Sequence, residues 1–348
     1  MGTKISITGN QAVVKGAIEA GAEFFFGYPI TPATEILEGW IAEAEKNKNL
    51  KYLQTEDEIS AGFGVIGAIL AGKKAFTATA GVGHVLMQDP ISMAENERLP
   101  FVAVITQRGG PSTGTVIYSQ QEVNLAMLGG NGDGLRIVYS ASSIEECYTL
   151  GAKIFSTAWK YNFPTILLSD GYLAKSKTIT ELPPLLKNFP AKKILKESAK
   201  SPTQIRNCYG SELEFSKVLI RNISDYKLLL SKVAEVELYK ISDANSAVIA
   251  HGSVAAAAKT AVDNLRLSGK KVGLIRPITL RPLDSQTILR LTKKLKHIVI
   301  FESAYEQFSK IIINQIPEIA PKVIKVYKPA VGFAPEEIEK IFIEKIND

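Results

Sequence analysis

The sequence is poor in cysteine, in histidine and in long uncharged runs. Of 348 residues only two are cysteine and three are histidine. Neither Cys147 nor Cys208 belongs to a CxxC pair, so the chain can build no disulfide framework, zinc finger or cysteine-ligated iron–sulfur cluster. Any one-electron relay must lie on another molecule. His84, His251 and His297 are too scattered to suggest a metal cluster and read as core or surface side chains, and Cys147 reads as a buried, inert thiol on an amphipathic helix. The longest stretches without charge, Ile59 to Gly72 and Ala75 to Gln88, fall short of the roughly 18 to 20 residues that span a bilayer. The first residues, MGTKISITGN, lack the apolar core of a signal peptide. The expectation is a cytoplasmic chain with reduced thiols and no membrane insertion. No Walker A loop, GxGxxG turn, Gly-x-Ser-x-Gly elbow, internal repeat or low-complexity tract is present.

What is there suits two globular cores: 46% of residues are apolar and 22% charged. The net charge of +6 is unevenly spread. Residues 1–180 carry 14 basic and 17 acidic side chains, a net of −3, while 181–348 carry 27 and 18, a net of +9. Such a basic surface can steer an anionic cofactor or an acidic protein partner. Its lysine runs, such as Lys293-Lys294-Leu295-Lys296, have no interleaved aromatics, so they read as solvated helix faces and not as a nucleic-acid surface.

Apolar runs alternate with helical patterns through the first half. Asn10 is a candidate cap for a helix ending at Gly21, followed by a strand over Phe24 to Tyr28 and a helix opened by Thr31 as cap with Pro32 at its first position. Strands are expected at Leu50–Gln54, Lys74–Thr79, Phe101–Gln107 and Pro164–Ser169, and helices at Asp57–Ala71, His84–Asn96 with a break around Pro90, and Ile144–Tyr161. Strands without polar alternation, separated by helices, mean a mostly parallel sheet covered on both faces. Residues 176–205 read as a connecting segment and Glu212 to Tyr239 as one long amphipathic helix. The βα alternation then resumes with strands at Ala247–Ala250, Lys271–Ile275 and His297–Phe301, which gives a second, smaller α/β domain.

Ligands of open parallel sheets bind beyond the carboxyl ends of the strands. That rule selects Tyr28-Pro29-Ile30-Thr31-Pro32, Thr55-Glu56-Asp57-Glu58, Thr79-Ala80-Gly81-Val82-Gly83 and Gln107 to Gly114. Thr31 at a helix start offers a hydroxyl and free N–H groups to an anion, or simply caps the helix. Glu58 precedes small and apolar residues, so its carboxyl can be buried, which raises its pKa, while the helix start lowers it. The Glu56-Asp57-Glu58 run can equally be plain complement to the helix dipole. Arg108, followed by two glycines, suits bidentate capture of a carboxylate, or an ion pair with a nearby acid.

Taken together, GYPITPATE, QTEDEIS followed by Ile66-Gly67-Ala68, FTATAGVGHVLMQ and QRGGPSTG resemble the alpha subunit of 2-oxoacid:ferredoxin oxidoreductases, most closely the 2-oxoglutarate branch. The likeness is dense over residues 9–180. Later segments, IAHGSVAAAAK, GKKVGLIRPITLRPL and IVIFES, are similar to the transketolase C-terminal-like domain of that family. The resemblance implies an α/β chain made of a parallel-sheet pyrimidine-binding domain for thiamine diphosphate at 1–180, a linker and long helix at 181–240, and a transketolase C-terminal-like domain at 241–348.

It further implies the site. The family's glutamate stands nine residues before a glycine and bonds the cofactor's pyrimidine nitrogen. Glu58 and Gly67 match that spacing, which makes Glu58 both catalytic and cofactor-binding, sharing a proton with the ring so that the thiazolium carbon can be deprotonated. Tyr28 and Pro29 would line the pyrimidine pocket, and Thr31 and Arg108 would hold the substrate carboxylate. The beta subunit would bring the diphosphate-binding domain, Mg2+ and a 4Fe-4S cluster, coenzyme A would be the co-substrate and ferredoxin the acceptor, and gamma and delta subunits are optional additions. The chain should be inactive alone. Three segments depart from the family pattern: Thr79-Ala80-Gly81-Val82-Gly83 stands for TSGPG, Gly129-Gly130-Asn131-Gly132 for a GGHG-like turn, and Thr115-Val116-Ile117-Tyr118-Ser119 for a proline-threonine turn. These loops shape the substrate end, so pyruvate or a branched-chain 2-oxoacid stands as the alternative substrate, and a non-catalytic α/β assembly protein as the alternative class.

Overall fold

The computed structural model describes residues 4–185, 188–195, 203 and 205–347. Its centre is a seven-stranded sheet with spatial order Thr279–Arg281, Ile137–Ser140, Thr165–Asp170, Val102–Gln107, Ala75–Thr79, Phe24–Gly27, Lys51–Gln54. All neighbours are parallel except Thr279–Arg281, which runs antiparallel to Ile137–Ser140 at one edge. The three central strands are buried along their whole length, as a sheet covered on both faces requires. On one face Trp40, Phe25, Phe76 and Phe155 interlock, with edge-to-face ring pairs at 4.8, 5.1 and 5.5 Å. On the other face Val65, Ile66, Ile91, Phe101 and Ile105 form a cluster that continues into the second domain through Ile249, Ile275 and Ile300.

The second sheet has five strands in the order Val323–Tyr327, His297–Glu302, Ser246–Ile249, Val272–Pro277, Val236–Tyr239, the last antiparallel. A separate two-stranded ribbon pairs Lys4–Thr8 with Lys177–Glu181. The α/β class with mostly parallel sheets is therefore the fold of the chain.

Several local expectations are corrected. The long helix over 212–239 ends at Lys227; a short turn follows at Leu230–Val233, and Val236–Tyr239 is a strand. Its Val-Glu-Leu-Tyr sequence fits the pleat, and pairing with Leu274–Pro277 outweighs the helical stripe. Asn10 lies inside its helix, which Thr8 caps instead, in a reciprocal capping box with Gln11. Thr31 caps nothing: the next helix starts at Thr34, three residues on, and Ala33 precedes it. The break in the helix after Thr79 falls at Met87, leaving Pro90 in the first turn of the Gln88–Asn96 helix, where a missing N–H is harmless. The connecting segment contains the Lys177–Glu181 strand, and its Pro202 lies outside the described residues.

Candidate functional site

Parallel pairing sends Gly27, Gln54, Thr79 and Gln107 toward one edge of the main sheet, and the loops that leave them meet there. Glu58 is the first residue of the Glu58–Leu70 helix, behind Asp57 as cap, whose carboxylate accepts the Ser60 N–H at 2.7 Å. That bond holds the Asp57 carboxyl below the usual carboxylate range. Glu58 itself is only 4% exposed. Burial pushes its carboxyl up, against the opposing pull of its own backbone N–H and of the Thr79 hydroxyl, which donates to Oε1 at 3.3 Å. The charge of Arg108 adds a smaller downward pull. Gly83 closes over the pair: a Cβ there would lie 2.1 Å from Glu58 Oε1 and 2.2 Å from Thr79 Oγ1. Glu56 is exposed and bonds Ser60 Oγ at 3.0 Å. Of three successive acids, one is solvated, one caps and one is buried.

Arg108 is also buried, at 4% exposure. Its Nη1 donates to the Thr31 carbonyl at 2.8 Å, while its Nε has no partner. Among the described residues it makes no ion pair, so the expected alternative of a neighbouring acid is not what the structure contains. A buried donor without an acceptor costs about 1–3 kcal/mol, a cost that an incoming carboxylate would relieve by offering the fork two oxygens. Gly81, at φ 55°, packs against this side chain; a Cβ there would fall 2.4 Å from Nε. The Thr31 hydroxyl makes no hydrogen bond within the described residues, and the segment is pinned from below by Asn10, whose Nδ2 donates to the Pro32 carbonyl at 2.8 Å. Tyr28 is 41% exposed and Pro29 half-buried at the mouth.

The structure thus joins Thr31 to Arg108 by a hydrogen bond and Arg108 to Glu58 electrostatically, whereas Tyr28 and Pro29 are near in chain but make no hydrogen bond with them. Sequence reading passed over Glu122, which is 5% exposed and gathers three donors. Its Oε1 accepts the N–H groups of Gly81 and Arg108, each at 2.9 Å, and its Oε2 lies 2.9 Å from His84 Nδ1. No sequence signal marks it, because its partners are backbone groups 14 and 41 residues away and a histidine 38 away. Beside Thr31 a cavity of about 340 Å³ is lined by Val116, Ile117, Gly171, Tyr172 and Lys175. A buried carboxyl with a raised pKa, a cation free for an anion and an adjoining apolar cavity can together bind a small carboxylate and move a proton beside it. Among the described residues no group of three or more His, Cys, Asp or Glu could hold a metal ion, and no helix is long and apolar enough to cross a membrane.

Residues 15–235 match the family model described as pyruvate flavodoxin/ferredoxin oxidoreductase, thiamine diP-binding, and residues 244–338 match pyruvate:ferredoxin oxidoreductase core domain II. The chain is 34% identical to the 2-oxoglutarate synthase subunit KorA of Methanocaldococcus jannaschii, across 95% of this chain and 97% of that one. It is also 34% identical to the ketoisovalerate oxidoreductase subunit VorB of Methanothermobacter marburgensis, across 82% of each. Among solved structures it resembles 2-oxoglutarate:ferredoxin oxidoreductase from Magnetococcus marinus with 2-oxoglutarate, coenzyme A and succinyl-CoA bound, at TM-score 0.89 and 29% identity over 99% of its length. It spans 65% of that chain. A split-gene transketolase at TM-score 0.61 and 12% identity shares the fold alone.

Proposed function

The chain belongs to the pyruvate flavodoxin/ferredoxin oxidoreductase family, and from that membership we propose that it is the alpha subunit of a 2-oxoglutarate:ferredoxin oxidoreductase, converting 2-oxoglutarate and coenzyme A to an acyl-CoA and CO2 with electrons passed to ferredoxin. In this reading residues 1–180 hold the pyrimidine end of thiamine diphosphate, 181–240 connect, and 241–348 form the transketolase C-terminal-like domain. A beta subunit brings the diphosphate site, Mg2+ and the iron–sulfur cluster, since Cys147 is buried and Cys208 stands alone.

The single observation that supports it best is the buried Glu58, its pKa raised by burial, beside an Arg108 whose Nε has no partner. Thiamine diphosphate, when bound, supplies a carbon nucleophile and an electron sink for decarboxylation. The residues present fit it: Glu58 offers a carboxyl that can hold a proton against a ring nitrogen and take it back, because burial raises its pKa and Thr79 keeps Oε1 oriented. Gly83 leaves the carboxyl room that any side chain would fill. Arg108 and the Thr31 hydroxyl bind and orient the substrate carboxylate, and Tyr28 with Pro29 flanks the pyrimidine. A non-catalytic assembly role would give none of these groups a use.

The test is co-expression with the candidate beta partner and an assay of 2-oxoacid- and coenzyme A-dependent reduction of a low-potential dye. The isolated chain is expected to be inactive, and Glu58→Gln in the assembly should lose about 10²-fold or more in kcat. Turnover within a few-fold of wild type would remove Glu58 from the chemistry. A branched-chain 2-oxoacid is the second reading, favoured by the equal identity to the ketoisovalerate subunit and by Val116 and Ile117 lining the cavity beside Thr31. The ratio of kcat/KM for 2-oxoglutarate and 2-oxoisovalerate decides between them.

A further inference from the structure

Glu122 binds the backbones of both Gly81 and Arg108, yet among the described residues it makes no ion pair with the Arg108 guanidinium. Its carboxylate binds the Arg108 backbone N–H, while the guanidinium of the same residue keeps an unpaired Nε and makes its hydrogen bond to the Thr31 carbonyl. The reason lies in how its oxygens are filled. Oε1 takes two backbone N–H groups, one from Gly81 and one from Arg108, and Oε2 faces His84 Nδ1. A carboxylate only accepts, so the tautomer that makes this bond carries its proton on Nδ1, which satisfies Oε2 and leaves the buried Nε2 without a partner. His84 is fully buried and is held in turn by Gln88, whose Nε2 donates to the His84 carbonyl at 3.0 Å.

We propose that His84 and Glu122 are positioning residues that keep the Arg108 guanidinium free for the substrate carboxylate: the pair anchors the Gly81 and Arg108 loops through their backbones while His84 occupies the oxygen that would otherwise turn to the arginine. This inference rests on the proposed role of Arg108 and deepens it. Without the Nδ1 donor, Oε2 would be a buried acceptor that has lost its partner, and Gly81, whose N–H the same carboxylate binds, is the residue packed against the Arg108 Nε. The carboxylate would swing, an internal ion pair would form, and the incoming anion would have to compete with it. Glu58 lies on a separate helix and holds its own hydroxyl partner, and since Gly83, next to His84, closes over it, exchange of the thiamine C2 hydrogen reads whether a substitution at His84 has reached it.

The experiment uses the assembled alpha–beta enzyme. His84→Phe keeps a buried ring without the donor; His84→Leu is a second donor-less variant should the ring not fit; and His84→Asn returns an N–H to the position of Nδ1. Three quantities are read: KM against kcat for the 2-oxoacid, the Kd of non-reactive 2-hydroxyglutarate by calorimetry, and the substrate-free exchange of the thiamine C2 hydrogen for deuterium. The donor-less variants are expected to raise KM and Kd about tenfold or more with C2 exchange within threefold of wild type, and His84→Asn to restore both constants. KM and Kd within twofold of wild type, a matching loss of C2 exchange, or no recovery with asparagine would each overturn the proposal. A wild-type assembly that turns over no 2-oxoacid at all would instead overturn the functional reading beneath it.

Discussion

Glu56, Asp57 and Glu58 are chemically near-identical neighbours, and the main chain alone separates their fates: the helix start points one carboxylate at the Ser60 N–H, leaves one in water and turns one under Gly83. The family resemblance singled out Glu58, but burial is what raises its pKa, against the opposing pull of the Thr79 hydroxyl. That shift has a stability consequence. A carboxyl whose folded pKa is raised binds its proton more tightly when folded, so the chain loses stability as pH climbs through the folded value and carries the full penalty above it. Glu58→Gln removes the penalty. In the isolated chain its melting temperature should exceed that of wild type at pH 8, and the difference should vanish near pH 4, where the wild-type carboxyl is protonated in both states. Thermal melts across pH check this, and an advantage that grew toward acid would show the carboxyl to be stabilised as an anion. The same variant should thus be inactive in the assembly and more stable alone.

At the scale of the element, the Glu58–Leu70 helix shows why its many small residues are not interchangeable. Gly62 faces the next helix so closely that a Cβ would meet Pro90 Cγ at 2.3 Å and Met87 Sδ at 2.9 Å, while at Gly67 it would meet nothing within 4 Å. Gly62→Ala should therefore cost about 1–3 kcal/mol by overpacking, and Gly67→Ala should stabilise the isolated chain by about 0.5–1 kcal/mol through helix propensity. Urea unfolding of the two variants measures both, and equal effects would contradict the packing. An exposed glycine with free space, one turn from Phe63 at 38% exposure, is a poor choice for a chain that acts alone; a gain in the monomer that becomes a loss of affinity for the beta subunit would assign this face to the assembly. Elements were most legible where periodicity was long, as in Ile144–Tyr161, which folds with those bounds. They were least legible where partners distant in sequence decide: Val236–Tyr239 becomes a strand because Leu274–Pro277 is there to receive it, and Thr31, three residues short of the helix, gives its carbonyl to Arg108 Nη1.

For the molecule as a whole, the two sheets are joined by more than a linker. Thr279–Arg281, beyond residue 240, completes the edge of the main sheet, and Gln120 Nε2 donates to the His251 carbonyl at 2.9 Å across the junction. Neither tie is visible in sequence, since each depends on domains already docked. The strongest is Arg276, 2% exposed on the Val272–Pro277 strand. Its Nη1 and Nη2 donate to both oxygens of Glu146, on a helix of the first domain, at 2.8 and 2.5 Å, and its Nε donates to Glu237 at 2.6 Å. Glu146 Oε2 also accepts the N–H and hydroxyl of Ser142, so the guanidinium locks a loop at the sheet's carboxyl end as well as a helix. Removing the cation strands the partly buried Glu146 carboxylate, while Glu237 keeps Lys259 at 2.6 Å. Arg276→Met should cost about 3–5 kcal/mol, and calorimetry should show one cooperative transition of the wild-type chain giving way to two as the domains uncouple. Adding Glu146→Gln should recover much of the loss, because the stranded charge, more than the missing contacts, carries the penalty. A single variant that melted as one unit within about 1 kcal/mol of wild type would mean that the shared apolar cluster, and not the ion pairs, holds the domains in register.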